Sequence, residues 1–205
     1  MPLSSTASRN TRRTYHHGSL REALIQAGLE VIAESGVKSL TLREIGSRVG
    51  VSRMAAYRHF ADKAALLGAI GEAGFTRFAD ALEAASKGRK SHSVRLEEMG
   101  VAYVRFAMAH RAHFEVMFGA NEEPQNLSES GKQVAERSFL ILLDLIKEGQ
   151  QAGKFTASDP LLMARTVWAT VHGISLLRLE PDPDGDAAFT RASIQLLKAG
   201  IQPRT

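Results

Sequence analysis

The sequence predicts an all-α fold of about nine helices, with an N-terminal three-helix domain followed by a larger helical body. Apolar residues recur three or four positions apart along most of the chain, and no stretch shows the alternation typical of a strand. Residues that start and stop helices bracket these stretches. With 205 residues, 44% of them hydrophobic, the chain can bury a sizeable core.

The first residues are predicted to lie outside the folded part. Residues 1–14 are rich in Ser, Thr and Arg with little to bury, which indicates a flexible basic tail. No apolar run follows the arginines, so we do not expect a secretory signal, and no stretch approaches the ~20 apolar residues of a membrane span. The absence of cysteine excludes disulfides and thiolate metal sites. We expect a cytoplasmic protein.

The first helix is predicted from a capping signal. SLRE at 19–22 matches the S-x-x-E box, so the helix is predicted to start at Ser19. Apolar residues follow at helical spacing as far as Val31, and Gly36 suits the left-handed position that ends a helix.

A helix-turn-helix is predicted directly after it. TLRE at 41–44 is a second capping box and opens a helix of about two turns that Gly50 ends. Ser52 is placed to cap a third helix that reaches about His59. Small residues are needed where two such helices approach closely, and Gly46 and Gly50 stand there.

The remaining helices are predicted from the same signals. Asp62 is placed to cap a long helix to about Ser86, and a polar loop follows at 87–93. Asp159-Pro160 supplies another start signal. These signals predict a helix ending near Arg111, a short amphipathic piece, helices at 130–152, 158–180 and 187–200, and loops at 121–130 and 181–186.

Basic residues concentrate in the first third of the chain. Residues 1–63 contain ten Lys or Arg against five Asp or Glu, whereas residues 64–205 contain sixteen against seventeen. This asymmetry indicates a polyanion-binding module joined to a neutral body, although a chance excess in a helical protein would look the same on charge alone.

The second helix of the helix-turn-helix has the composition of a DNA reader. Such a helix can lie in the major groove, and no acid stands between Glu44 and Asp62. Arg can pair with guanine or a phosphate, Tyr can donate to a phosphate, and Met offers apolar contact. The residues expected to face outward are Arg53, Met54, Tyr57 and Arg58. Thr41 and Lys63 stand where helix N-termini favour an anion.

TLREIGSRVGVSRMAAYRHFADKAALL, with YHHGSLREALIQAGLEVIAESG before it, resembles the DNA-binding domain of the tetracycline-repressor-like (TetR) family of bacterial regulators. The resemblance covers about residues 15–67, and WATVHG at 168–173 is similar to the Trp and His-Gly signature of one C-terminal subclass. It implies a helix-turn-helix domain at 15–62 and a helical regulatory and dimerisation domain at 63–205.

The resemblance also assigns roles to residues. It implies phosphate contacts for Thr41, Tyr57, His59 and Lys63, and base contacts for Arg53, Met54 and Arg58. The candidate DNA-binding residues are therefore Thr41, Ser52, Arg53, Met54, Tyr57, Arg58, His59 and Lys63. The alternative for Tyr57 and His59 is packing against the first helix. Ala56 stands where many members carry a larger apolar residue, so we expect looser packing there.

A second candidate site lies in the body. Its Met-rich and aromatic stripe is compatible with an ordinary core, but with Tyr103 and His172 as polar points it also suits a small apolar ligand. The candidate pocket residues are Met99, Tyr103, Phe106, Met117, Phe139, Trp168 and His172.

No metal, cofactor or enzymatic activity is expected. His16-His17 lacks a spaced carboxylate partner, and His110 and His113 are a possible ligand pair more simply explained as core-edge residues. We find no nucleophile-base constellation, metal-ligand set or Gly-rich phosphate loop.

The last two predicted helices carry apolar residues on more than one face, which predicts a homodimer through 158–180 and 187–200. A two-fold dimer would read a near-palindromic operator in double-stranded DNA. By resemblance, the expected function is that of a sequence-specific regulator, a repressor released by a small apolar effector. The alternative is a helical DNA-associated or protein-docking module without ligand control.

Overall fold

The part of the chain that the structure describes is helical throughout its length. The structure is a computed structural model that describes residues 17–88, 90–119, 127–177 and 183–201. Within these ranges it has nine α-helices, one 3₁₀ turn and no strand, which confirms the predicted all-α fold. The helices are α1 (His17–Ser35), α2 (Leu42–Val49), α3 (Arg53–His59), α4 (Lys63–Ser86), α5 (His92–Ala109), α6 (Arg111–Phe118), α7 (Glu129–Gln151), α8 (Pro160–Leu177) and α9 (Pro183–Ile201).

Three predicted caps in the N-terminal region are confirmed by their hydrogen bonds. Thr41 accepts from the backbone N–H of Glu44 at 3.2 Å, and Ser52 accepts from the N–H of Ala55 at 3.2 Å. Asp62 accepts from the N–H of Ala65 at 2.7 Å at the start of α4. Each bond satisfies one of the N–H groups that a helix leaves unpaired at its first turn.

Two predicted starts are wrong. α1 begins at His17, so Ser19 lies inside its first turn and not at its start. α9 begins at Pro183, within the stretch predicted as a loop, because proline is accepted in the first turn of a helix, where its missing N–H has no partner to lose. The predicted tail at 1–14 and most of the predicted loop at 121–130 lie outside the described residues.

A 3₁₀ turn at Val37–Ser39 joins α1 to α2 and has no signal in the sequence. Gly36 precedes it with φ 78° and ψ 166°, a positive φ as expected but outside the left-handed helical region. The turn places Lys38 beside the start of α4, where the Nζ of Lys63 donates to the Lys38 carbonyl at 3.4 Å.

The described residues form two apolar cores that share α4. The N-terminal core joins buried side chains of α1, α2 and α3 to the first turns of α4 as far as Ile70. The C-terminal core takes the later turns of α4 from Phe75 onward, together with α5 to α9. α4 therefore connects the helix-turn-helix directly to the body. No helix among the described residues is long and apolar enough to cross a membrane.

The close approach of α2 and α3 depends on two small residues that face each other and on one glycine with a positive φ. Ala56 is 0% exposed and lies opposite Gly46, where an added Cβ would be 3.5 Å from the Cβ of Ala56. Ala56 is therefore fully buried against α2, and the looser packing expected there stays a prediction. Gly50 ends α2 with φ 76° and ψ 28°, a left-handed conformation that favours glycine.

We expect alanine to have opposite effects at the two glycines. Gly46→Ala should raise the free energy of unfolding by about 0.5–1 kcal/mol, because glycine is unfavourable inside a helix and the added methyl group fits at ordinary contact distance. Gly50→Ala should lower it by about 1 kcal/mol, because a positive φ strains an L side chain. Urea denaturation followed by circular dichroism measures both, and equal losses at the two positions would contradict this packing.

Candidate nucleic-acid interface

The third helix of the N-terminal domain presents one side to its own core and the other to solvent. Ala56 and Phe60 are buried against the core. On the opposite side Met54 is 70% exposed and Tyr57 is 39% exposed. The arginines at 53 and 58 are exposed as well. The division of α3 into an anchored side and a free side follows the sequence-based prediction.

Tyr57 and His59 are not held by local polar contacts. Among the described residues neither side chain forms a hydrogen bond, so their polar atoms remain available to a partner. The guanidinium carbon of Arg53 lies 5.2 Å from the centroid of the Tyr57 ring, a cation–π contact that orients both side chains on the exposed side of α3. This arrangement favours an external partner over the alternative of packing against the first helix.

The helix starts around α3 supply further donors. Thr41 and Ser52 use their hydroxyl oxygens as caps, which leaves each hydroxyl proton free to be donated. Lys63 contacts the Lys38 carbonyl with one ammonium proton and retains two others. Donors at a helix N-terminus are suited to an anion such as a phosphate.

The acids near this surface are already engaged. Glu44 forms an ion pair with Arg48 at 2.9 Å, and Asp62 is bound as the cap of α4. Arg48 also forms a two-pronged pair with Glu34, at 3.0 and 2.7 Å. The hydrogen bonds that Arg48 donates to Glu34 and Glu44 raise the pKa of Arg48, and the bonds that Glu34 accepts from Arg48 lower the pKa of Glu34. Arg48 is thus a structural cation, which its position in the sequence does not reveal.

Several cations remain without an acid. Among the described residues Lys38, Arg43, Arg53 and Arg58 form no ion pair, and all four are exposed. Sequence reasoning missed Lys38 and Arg43 as candidates, the first because the 3₁₀ turn is not predicted. The signal that could have identified Arg43 is its position in the first turn of α2, two residues after the cap Thr41.

The predicted pocket residues do meet, but in a closed aromatic cluster. The Tyr103 hydroxyl and His172 Nδ1 are 2.7 Å apart and hydrogen bonded. Burial raises the pKa of Tyr103 and lowers the pKa of His172, so both groups are neutral at pH 7. The free volume beside them is about 10 Å³, room for a single water molecule.

Only part of the predicted set lines that small cavity. Met99, Tyr103 and Trp168 line it. The other predicted residues pack around it: the Phe139 ring centroid lies 5.6 Å from that of Trp168, and Met117 packs on α4 at Gly74. At the centre of the cluster is a residue that sequence reasoning missed, Phe78, whose ring lies within 6 Å of four others. The spacing of Phe75, Phe78 and Leu82 along α4 is the signal that could have identified it.

The two histidines that the sequence offers as a possible metal-ligand pair, His110 and His113, lie close together. Their ring centroids are 5.9 Å apart, but no group of three or more possible ligands occurs in the described ranges. The structure gives no support to a metal site there.

The fold defines this chain as a protein with an N-terminal helix-turn-helix domain and a helical body. The family model "Bacterial regulatory proteins, tetR family" matches residues 24–70, and "Tetracyclin repressor-like, C-terminal domain" matches residues 96–196. The chain belongs to the TetR family of bacterial regulatory proteins.

Curated and solved relatives agree with this placement. The chain is 45% identical to the class C tetracycline repressor of Escherichia coli over 56 residues. It is 48% identical to the class G tetracycline repressor of Vibrio anguillarum over 50 residues. The first match covers 27% of this chain and 26% of the class C repressor, and the second covers 24% of this chain and 24% of the class G repressor. The chain therefore matches about a quarter of the length of these repressors.

Similarity to solved structures covers nearly the whole chain. A Rhodococcus sp. RHA1 protein of unknown function is 31% identical with a TM-score of 0.82, covering 94% of this chain and 100% of that one. The fatty acid degradation regulator FadR of Bacillus halodurans is 20% identical with a TM-score of 0.75, covering 93% and 100%. The second likeness shows a shared fold alone.

Two substitutions should separate base reading from phosphate contact. We expect Arg53→Ala to cost about 1–3 kcal/mol in DNA binding and to relax base preference at one position. Lys63→Ala should weaken all sequences alike and reduce the salt slope by about 1.

Fluorescence anisotropy with DNA selected from a random library, at several salt concentrations, measures both quantities. Arg105→Ala is the matched control, an exposed arginine on α5 outside the helix-turn-helix. If the control weakened binding as much as Arg53→Ala, the assignment of this surface would be wrong.

Proposed function

We propose that this protein is a transcriptional repressor that binds a near-palindromic operator as a homodimer and releases it when a small apolar effector binds. The observation that carries the proposal is the free side of α3, which presents two exposed arginines, Met54 and Tyr57. Two acids that flank it in the sequence, Glu44 and Asp62, are held by Arg48 and by the start of α4. A helix of this kind in the major groove can contact base edges, while donors at neighbouring helix starts contact phosphates.

The faces of α8 and α9 support the dimer. On α8 a leucine at each end, Leu162 and Leu176, is exposed along one stripe with small residues between them. On α9 the exposed stripe contains Phe189 and Leu196. Small residues let helices approach closely and the large ones bury apolar area, so two copies could form a four-helix interface.

The shared helix supports control by an effector. Because α4 belongs to both cores, a change in the body can alter the placement of α3. In a dimer this changes the spacing of two recognition helices, which must match successive major grooves about 34 Å apart. A ligand that prefers the mismatched arrangement must weaken DNA binding, by linkage.

The aromatic cluster is the proposed effector site, and its small free volume means that an effector can bind there only if the cavity enlarges. A site for a small molecule commonly needs about 300–1,000 Å³, far above the free volume beside Tyr103 and Trp168. An effector would therefore have to displace aromatic rings and would find the Tyr103–His172 pair as its polar contact. Such a displacement would shift Phe78 on α4, which provides a route to the DNA-binding domain.

Selection from random DNA tests the function as a whole. We expect the selected sites to be near-palindromes, bound at least tenfold more tightly than random DNA at the same salt. Equal affinity for selected and random DNA would instead favour a DNA-associated module without sequence recognition.

The dimer can be tested without disturbing the core. We expect Leu176→Glu with Leu196→Glu to give a folded monomer by light scattering, because both leucines are exposed and charges at a buried apolar interface are unfavourable. Leu140→Glu on α7 is the control, exposed but outside the face. Val171, on the predicted face by sequence, is 2% exposed and would destabilise the fold itself. An unchanged mass would place the interface elsewhere.

A further inference from the structure

A cleft separate from the aromatic cluster lies between the two cores. It is bounded by α1, by α4 and by the corner where α5 meets α6, and its volume is about 430 Å³. Leu29 and Ala33 of α1 and Met108 of α5 supply apolar lining. The polar part of the lining consists of two arginines, two histidines, one glutamine and one glutamate, at Arg77, Arg111, His110, His113, Gln26 and Glu30.

The cleft is lined by a buried imidazole that has no hydrogen-bond partner among the described residues. His113 on α6 is 5% exposed, and among the described residues it forms no hydrogen bond. Burial first, then Arg77 and His110, lowers the pKa of His113 to about 4, so the ring is neutral at pH 7 and offers one N–H donor and one lone pair. Buried polar groups are usually hydrogen bonded, so the imidazole of His113 is a candidate contact for a molecule in the cleft that it lines.

The charges around the cleft favour an anion. Arg77 and Arg111 line it, both are exposed, and neither forms an ion pair with a described residue. The lining acid is Glu30, whose Oε1 accepts from the Gln26 amide at 3.3 Å. Two arginines against one engaged carboxylate leave a positive surface, and guanidinium groups pair with carboxylates through two parallel hydrogen bonds.

We propose that this cleft binds a small organic carboxylate. Arg77 and Arg111 hold the charged end, His113 donates or accepts the buried hydrogen bond, and the side chains of Leu29 and Met108 cover the apolar part. The ligand would contact α1 from the N-terminal core and α4 and α6 from the C-terminal core, so it would tie the two cores together. Binding of the carboxylate does not depend on the proposed function. An effect of that binding on operator affinity does.

Calorimetry on the full chain without DNA tests the binding. Hexanoate and benzoate are the probes, hexanamide and benzamide are neutral controls of the same shape, and inorganic phosphate tests for a site that accepts any anion. We expect the carboxylates to bind at one site per chain, at least tenfold more tightly than the amides. Absence of binding by both carboxylates, equal binding by the amides, or tighter binding of phosphate would each overturn the proposal.

Substitutions locate the site. Arg77→Gln and Arg111→Gln should each weaken carboxylate binding about tenfold or more, whereas Arg105→Gln, an exposed arginine outside the cleft, should leave it unchanged. His113→Leu should also weaken binding while leaving the thermal midpoint at or above that of the original chain, because no protein hydrogen bond is lost. A drop in the midpoint without loss of binding would show that His113 is structural.

A final measurement separates this site from the proposed function. Operator affinity is measured with and without hexanoate, for the original chain and for Arg77→Gln. If hexanoate binds but operator affinity does not change, the site stands and its coupling to DNA fails. If no operator can be selected, the proposed function fails while the calorimetric result is unaffected.

Discussion

The placement of the recognition helix depends on one helix that is part of two cores. The first turns of α4 are buried with α1, α2 and α3, and its later turns are buried among the aromatic rings of the body. A continuous helix is stiff over this distance, so the two cores cannot move independently of it. A repacking of the later turns near Phe78 would therefore act on the turn around Ile70, which packs against the helix-turn-helix.

The charge pattern of the N-terminal domain complements this mechanical constraint. Its net positive charge is modest, but the acids near α3 are already used, Glu44 in an ion pair with Arg48 and Asp62 as a helix cap. The exposed cations are consequently not neutralised by their own surface. A polyanion meeting this side would displace only water and counterions, which is the condition for strong and salt-dependent attraction.

The body contains two features of opposite character. The aromatic cluster is densely packed, with Tyr103 and His172 hydrogen bonded to each other, and the cavity lined by Tyr103 and Trp168 has a volume of only about 10 Å³. The cleft beside His113 is open, and the two arginines that line it form no ion pair with a described residue. An apolar effector and a carboxylate would therefore act on different parts of the protein, one inside the C-terminal core and one at its contact with α1.

The features that could be predicted from the sequence are those that depend on residues close together in the chain. Caps at Thr41, Ser52 and Asp62, helical periodicity and the left-handed Gly50 depend on residues within one or two turns, and all of these were predictable. The outward direction of α3 followed from the same periodicity. The match to the TetR family pattern added the DNA-binding expectation, because that pattern is also local.

Only the tertiary structure decided what depends on distant residues. Ala56 proved to be fully buried, opposite Gly46 of α2, and Val171 proved to be core and not surface because α5 covers it at Gly100. The buried, unpartnered state of His113 results from the meeting of α1, α4 and α6, which no local pattern encodes. Sequence periodicity identifies which side of a helix is apolar, but burial and pairing are set by which neighbouring helix arrives there.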